Sequence, residues 1–293
     1  MPEKVNLKAY FDRIGFAGSI APTAATLELL HALHPATIPF ENLDPFTGKP
    51  VALDQQSLER KLLAERRGGY CFEHNLLFMR VLIELEYEAR PLLARVIWPH
   101  AQDGGATEPT HMLVLVEING QKYIADVGFG GLTLTTPLKL RAEADQSTPH
   151  QSFRLMGGDP EWTLEVQLGD QWRPLYAFTT ANVDEAELGA INARLSTDPA
   201  SPFTRHLLAS LSPSGRRLSL RDNHFSVRPL DAEKQQIDIT TIEEMRAILT
   251  GEFGLILPAS EALDTALMAL LPDLPPAEAE PETASESQPD PQD

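Results

Sequence analysis

The sequence predicts an α+β fold in which a mostly helical stretch, residues 1–86, is followed by strands. As far as Ile83 the apolar residues recur at helical spacing, whereas from Arg90 they gather in short runs rich in branched and aromatic side chains. A further observation is Asn119-Gly120 between two of those runs. It is a strong hairpin signal, because a two-residue type I′ turn needs positive φ at both positions.

The helices follow in order. Leu7, Tyr10, Phe11 and Ile14 line one face of the first, which Gly15 and Gly18 interrupt. After Ala21-Pro22, Thr23 is placed as the N-cap of a second helix with Leu27, Leu30 and Leu33 as its stripe and Pro35 as its end. Pro39 keeps the next segment out of helix, so Phe40 and Glu41 are expected on a loop. Leu58, Leu62 and Leu63 fit a helix around 57–66, broken by Gly68-Gly69, and Leu76, Met79 and Ile83 fit another over 71–86.

That last helix opens on Cys71, the only cysteine of the chain. A helix start offers unpaired N–H groups and the positive end of the macrodipole, and Arg66 and Arg67 are close in sequence, so the position favours a nucleophilic thiolate. A lone cysteine also serves well as a small buried apolar residue. Cys71 and His74, three apart on one helix face, would also suit the beginning of a metal or redox site, although no second Cys-x-x-Cys or His-x-x-x-His pair completes a structural zinc site.

Three strands are expected over 92–98, 111–118 and 121–129. If the Asn119-Gly120 turn sets Ile118 opposite Gln121, then Leu113 faces Asp126, and His111 becomes a diagonal neighbour of Asp126 on the same sheet face, about 7–8 Å away. An aspartate held against one imidazole nitrogen fixes the tautomer and leaves the other nitrogen to take a proton from a thiol. Cys71, His111 and Asp126 thus qualify as nucleophile, base and orienter.

Downstream, alternation on both sides of Gly169-Asp170 predicts a hairpin whose second strand, carrying Pro174, belongs at a sheet edge. Asp222-Asn223 predicts another hairpin, between 217–221 and 224–228. Two helices follow, one from Thr240 or Thr241 with Glu243 or Glu244 as capping partner and Gly251 as its stop, the other over 260–272.

The 293 residues, 42% apolar, suffice for a sizeable core. A net charge of −18 argues against nonspecific binding to nucleic acid or to an anionic membrane, and no run approaches a membrane span. One cysteine fits a reducing compartment, and the first residues lack the apolar core of a signal peptide, so a cytoplasmic protein is expected. Residues 272–293 carry seven acids, no bases and six prolines, the composition of a disordered acidic tail.

Arg-Gly-Gly-Tyr-Cys-Phe-Glu-His-Asn at 67–75, Thr-His-Met at 110–112 and Asp-Val-Gly-Phe-Gly at 126–130 resemble, in order and spacing, the signatures of the arylamine N-acetyltransferases. Pro-Phe-Glu-Asn-Leu at 39–43 and Tyr-Phe-Asp-Arg-Ile-Gly at 10–15 are similar to that family's too, so the resemblance spans residues 5–260. It implies a helical bundle over 1–86 carrying the nucleophile, a β-barrel over 87–190 carrying base and orienter, and an α/β lid over 191–271, with the acidic tail beyond. It further implies a Cys71-His111-Asp126 triad using acetyl-CoA as acyl donor and no metal. The acceptor would be a small arylamine or hydrazine, as in xenobiotic metabolism.

By the same resemblance Phe129 and Phe203 would contact the acceptor, and Glu41 would face Arg67 and Arg13 in a supporting ion network. Phe40 on its loop fits either that pocket or core packing, and Thr110, Gly128 and Gly130 are assigned to the coenzyme, with a strand-ending turn as the other reading of the glycines. Asp198 stands where that family usually has a histidine. Arg216 and Arg217 are read as solvated charges, with the coenzyme's phosphates as the other reading. The nearest rival function is a thiol amidase or a transglutaminase-like enzyme, since a triad decides the covalent step and not the acceptor. A redox or metal sensor built on Cys71 and His74 is the rival from another class. Oligomeric state is not legible in the residues.

Overall fold

A computed structural model of the chain describes residues 4–98 and 107–272; the acidic tail expected at the C-terminus lies almost wholly outside the described residues. Helix α1 (Leu7–Ile14) starts where the Asn6 side chain accepts the Ala9 N–H and ends at Gly15. Helix α2 (Ala24–Thr37) is capped by Thr23 as expected, but it continues through Pro35 for two more residues. A proline so near the end removes one ladder bond without stopping the last turn. Phe40 and Glu41 are not free loop residues: they form the short strand β1 (Phe40–Glu41). After α3 (Leu43–Phe46), helix α4 (Gln55–Leu58) runs without a break into a wider π-helical stretch, Glu59–Ala64. Helix α5 (Cys71–Glu84) begins at the cysteine, with Tyr70 as its N-cap residue.

Eight strands follow: β2 (Glu88–Val96), β3 (His111–Ile118), β4 (Gln121–Ala125), β5 (Leu138–Lys139), β6 (Gln146–Ser147), β7 (Ser152–Gly158), β8 (Glu161–Leu168) and β9 (Gln171–Thr179). They form one sheet in the order β5-β4-β3-β2-β9-β8-β7-β6, curled into an almost closed barrel. Its two ends meet through the Gln146 side chain, which bonds the backbone of Lys139 from both sides. Asn119 and Gly120 have φ of 51° and 78°, and Ile118 pairs with Gln121 in the expected register.

Two strand expectations need correction. The strand that holds Tyr123 stops at Ala125 instead of reaching Phe129. From there ring and side-chain groups replace the ladder: the Asn75 amide donates to Met112 O and its oxygen accepts the Val127 N–H, while a His31 ring nitrogen accepts the Asp126 N–H. Strand β9 is internal and not an edge, lying between β2 and β8. Pro174 is tolerated there because β2 pairs only with residues 176–178 of β9, and the β8–β9 register shifts between Leu164 and Glu165, next to the proline's partner.

Helix α6 (Glu185–Thr197) and the short α7 (Pro202–Arg205) lead to β10 (Leu208–Leu211), β11 (Arg216–Arg221), β12 (His224–Pro229) and β13 (Gln235–Asp238), which with β1 make a second sheet in the order β1-β10-β11-β12-β13. The Arg221–His224 pair closes the hairpin expected at Asp222-Asn223. Helix α8 (Ile242–Ala247) has the Thr241–Glu244 capping box, and its continuation, the π-helical Ile248–Glu252, passes Gly251 before ending. Helix α9 (Glu261–Met268) closes the described chain.

Separate apolar cores lie between these layers. Leu27, Tyr70, Phe72 and Phe78 from the helices pack with Met112, Val114 and Ala125 of the barrel sheet and with Leu188, Ile191 and Leu195 of α6. The opposite face of the barrel strands forms a second core around Leu113, Phe153 and Tyr176. The second sheet packs Leu218, Leu220 and Phe225 against Met245, Leu249 and Leu263. Among the described residues no helix is long and apolar enough to cross a membrane.

Candidate active site

Strand β3 begins on His111 and β4 ends one residue before Asp126, so the hairpin sets the two beside each other in the interior. His111 Nε2 lies 2.7 Å from Asp126 Oδ2, and the two residues are 2% and 0% exposed. With Nε2 engaged, Nδ1 is the nitrogen left for Cys71, which stands near enough to the ring to contribute to its pKa. Burial alone would push the His111 pKa down; the Asp126 charge and hydrogen bond, with Cys71 adding to them, outweigh it and lift the value to about 10. Burial likewise raises the Asp126 carboxyl, and His111 together with Asn75 and Gly128 brings it below the ordinary carboxylate value.

Asp126 is held on every side. Asn75 Nδ2 donates to its Oδ1 at 2.9 Å, the Gly128 N–H at 3.1 Å, and the Tyr176 hydroxyl donates to Oδ2 at 3.0 Å. Its carbonyl accepts from Thr133 Oγ1 at 2.9 Å. Gly128 has no room for a side chain: a Cβ there would meet Asn75 Nδ2 at 2.9 Å and the Cys71 Cα at 3.0 Å. The loop after Asp126 therefore rests directly on the first turn of α5, and this close approach accounts for a glycine at that position.

The aromatic residues singled out in the sequence gather around the same place. Phe129 stands edge-on to the His111 ring, with centroids 5.0 Å apart, and against Tyr176 at 5.1 Å. Phe40 is 6.3 Å from Phe203, whose ring stands edge-on to Tyr70 at 5.1 Å. Asn42 fastens this corner, donating to the carbonyls of Phe203 and His206 and accepting the Leu208 N–H, each at 2.7 Å. Thr110 O is 4.0 Å from Cys71 Sγ, and Gly130, at φ 82°, borders Phe40 and Ser210.

Beneath Cys71 lies a buried charge network. Arg67 binds Glu41 at 2.8 Å and Asp44 at 3.3 Å, and Lys61 binds Asp44 at 2.6 Å and Glu73 at 2.7 Å. Glu73 also accepts the Tyr70 N–H, which anchors the start of α5. Burial alone would raise the Asp44 pKa, yet the charges of Lys61 and Arg67 hold it below the ordinary range.

Arg13 does not face Glu41, contrary to expectation. Its guanidinium caps the Leu62 and Thr37 carbonyls at 3.0 and 2.8 Å, ends of helices that would otherwise leave acceptors bare. Arg217 is not a solvated charge: it is 3% exposed and bonded to Gln151, Ser212 and Thr133 O, and burial, with the nearby Arg228, lowers its pKa to about 9. Asp198 caps α6 and accepts the Ala200 N–H, so it shapes the turn into α7.

His74 turns away from Cys71, bonding His34 through Nδ1 and Pro39 O through Nε2, so the two do not converge on a shared metal position. Among the described residues no group of three or more His, Cys, Asp or Glu side chains is arranged to hold a metal ion.

Four supporting residues escaped the sequence reading as site components: Asn75, Tyr176, His31 and Thr133. Asn75, four residues after Cys71, shares its helix face and was legible from that spacing. Tyr176 needed the β2–β9 pairing, and His31 needed the packing of α2 on the barrel.

A cysteine at a helix start beside a buried histidine–aspartate pair is an arrangement for acyl chemistry, and similarity to known proteins defines the class. A family model described as N-acetyltransferase matches residues 23–262. The chain belongs to the arylamine N-acetyltransferase family. It is 39% identical to the Escherichia coli K12 arylamine N-acetyltransferase over 251 residues, 85% of this chain and 88% of that one. It is also 39% identical to the Mycobacterium tuberculosis arylamine N-acetyltransferase over 284 residues, 94% and 99% of the two chains. The solved M. tuberculosis structure superposes with a TM-score of 0.86 at 38% identity, covering 89% of this chain and 99% of that one. That of Mycobacterium marinum arylamine N-acetyltransferase in complex with CoA superposes with a TM-score of 0.87 at 32% identity, covering 91% and 100%.

Proposed function

We propose that this enzyme moves an acetyl group from acetyl-CoA to the nitrogen of an arylamine or hydrazine through a thioester on Cys71. The observation that carries the reading is the buried His111–Asp126 pair, 2.7 Å between Nε2 and Oδ2, which leaves Nδ1 for Cys71 at the first position of α5. The CoA complex of a relative with the same fold supports acetyl-CoA as the donor.

In the first half-reaction His111 takes the proton of Cys71, and the thiolate attacks the thioester carbonyl of acetyl-CoA. The bond from the acetyl carbon to the coenzyme sulfur breaks, His111 returns the proton to that sulfur, and CoA leaves as the thiol. Negative charge collects on the carbonyl oxygen during attack, and a backbone N–H at the start of α5 is suited to receive it. Having given its proton to the coenzyme sulfur, His111 is neutral and is regenerated as a base.

In the second half-reaction the amine attacks the acetyl-cysteine, His111 takes a proton from its nitrogen, and the carbon–sulfur bond breaks to restore the starting ion pair. Weakly basic aryl amines and hydrazines are unprotonated at neutral pH and attack directly. Phe40, Phe129 and Phe203 suit flat acceptors, and Thr110, Gly128 and Gly130 are assigned to the coenzyme, Thr110 O being 4.0 Å from the Cys71 sulfur.

Incubation with acetyl-CoA followed by intact-mass measurement tests the reading. One acetyl group per chain is expected, released on addition of an arylamine, with parallel double-reciprocal lines when both substrates are varied. Absence of the adduct together with intersecting lines would remove Cys71 from the covalent role.

A further inference from the structure

Asp126 is the first residue beyond the β3–β4 ladder, so its backbone N–H has no strand partner, and at a fully buried position it needs one. The partner is His31 Nε2, 3.0 Å away, reaching over from the middle of α2. A ring nitrogen that accepts carries no proton, so neutral His31 holds its proton on Nδ1. Nδ1 is buried and without a hydrogen-bond partner. An orphaned donor of this kind destabilises a core, and a leucine on the same stripe as Leu27 and Leu30 would avoid it. What histidine supplies and leucine would not is the acceptor for Asp126.

That acceptor matters because aspartate side chains compete for nearby backbone donors. With its N–H unfilled, Asp126 can offer that donor to its own carboxylate, and a bond there would draw Oδ2 off His111. We propose that His31 is a positioning residue for the acetyl transfer described above, fixing the Asp126 backbone so that the carboxylate stays on His111. Thr133 performs the matching task at the carbonyl of the same residue. Burial lowers the His31 pKa to about 4 against the opposing charge of Asp126, and neighbouring His34 is neutral as well, so the acceptor is present throughout the neutral range.

The inference rests on the catalytic reading of Asp126, and its test includes measurements that do not need acetyl-CoA. Wild type is compared with His31→Leu, His31→Asn and His31→Gln. The glutamine oxygen reaches about as far as Nε2, whereas that of asparagine falls short. Losing the acceptor should lower kcat at least about tenfold in the leucine and asparagine variants, the scale of one buried hydrogen bond. KM for acetyl-CoA should stay within about twofold, since substrate contacts are untouched. Alkylation of Cys71 by iodoacetamide should slow in parallel, and His31→Gln should recover most of both rates. Equal rates in the leucine and glutamine variants would overturn the proposal.

Nitrogen NMR of the wild type decides the matter if the variants do not fold. An unprotonated His31 Nε2 coupled to the Asp126 amide is expected, and a protonated Nε2 would overturn the assignment. Failure of wild type to form an acetyl adduct would instead sink the functional reading, while the alkylation and NMR results would still judge the role of His31 at Asp126.

Discussion

Nε2 of His111 and Oδ2 of Asp126 lie 2.7 Å apart with both side chains shut away from solvent, and the same carboxylate accepts from Asn75, Gly128 and Tyr176. A carboxylate with four donors converging on it cannot be replaced by an amide without turning an NH2 group toward another donor. Asp126→Asn should therefore lower kcat on the order of 10⁴-fold, as wrong-tautomer substitutions do in other triads. It should also lower the thermal midpoint. Single-turnover acetylation followed by mass spectrometry, with circular dichroism as the folding control, checks both.

The pH dependence of stability follows from the same pair. His111 titrates near 10 in the folded chain and near its ordinary value of about 6.5 when unfolded. A raised folded pKa contributes stability that is fully present below the unfolded value and is lost as pH rises through the folded one. The difference in unfolding free energy between wild type and His111→Gln should therefore shrink steadily between pH 6.5 and 10. Denaturant titrations across that range measure it, and a constant difference would contradict the raised pKa.

Arg67 and Glu41 form an ion pair with Glu41 fully buried. Removing one partner leaves an uncompensated charge, so Arg67→Met should destabilise the fold by about 3–5 kcal/mol. The double variant Arg67→Met with Glu41→Leu should recover part of that loss, because it removes the stranded carboxylate. Urea unfolding of the two single variants and the double variant yields the coupling directly.

Gly128→Ala places a methyl group 3.0 Å from the Cys71 Cα, against backbone that cannot swing aside. The loop after Asp126 must lift from α5, at a cost of about 1–3 kcal/mol for overpacking. Acetylation of Cys71 should slow with little change in the wavelength or shape of the far-ultraviolet circular dichroism spectrum. Unchanged acetylation would show that the loop and the helix start move independently.

Much of this arrangement was decided locally and was legible in the residues alone. The period of the apolar positions placed α1, α2, the helix near 57–66 and α5, though not α3, α6 or α7; Gly68-Gly69 put Cys71 at a helix start, and the positive-φ pair Asn119-Gly120 set a register that carried His111 to Asp126. These follow from short-range sterics and from the two-residue repeat of a strand, so they need no knowledge of distant contacts. What surrounds Asp126 was decided only by tertiary structure. His31, Asn75 and Tyr176 come from a helix of the first layer, the cysteine helix and a barrel strand, as many as 95 residues away in sequence. The end of β4 at Ala125, the internal place of Pro174 and the turn of Arg13 to helix carbonyls were settled in the same way. A buried polar group takes whichever partner packing brings within reach, and spacing along the chain does not encode which one that is.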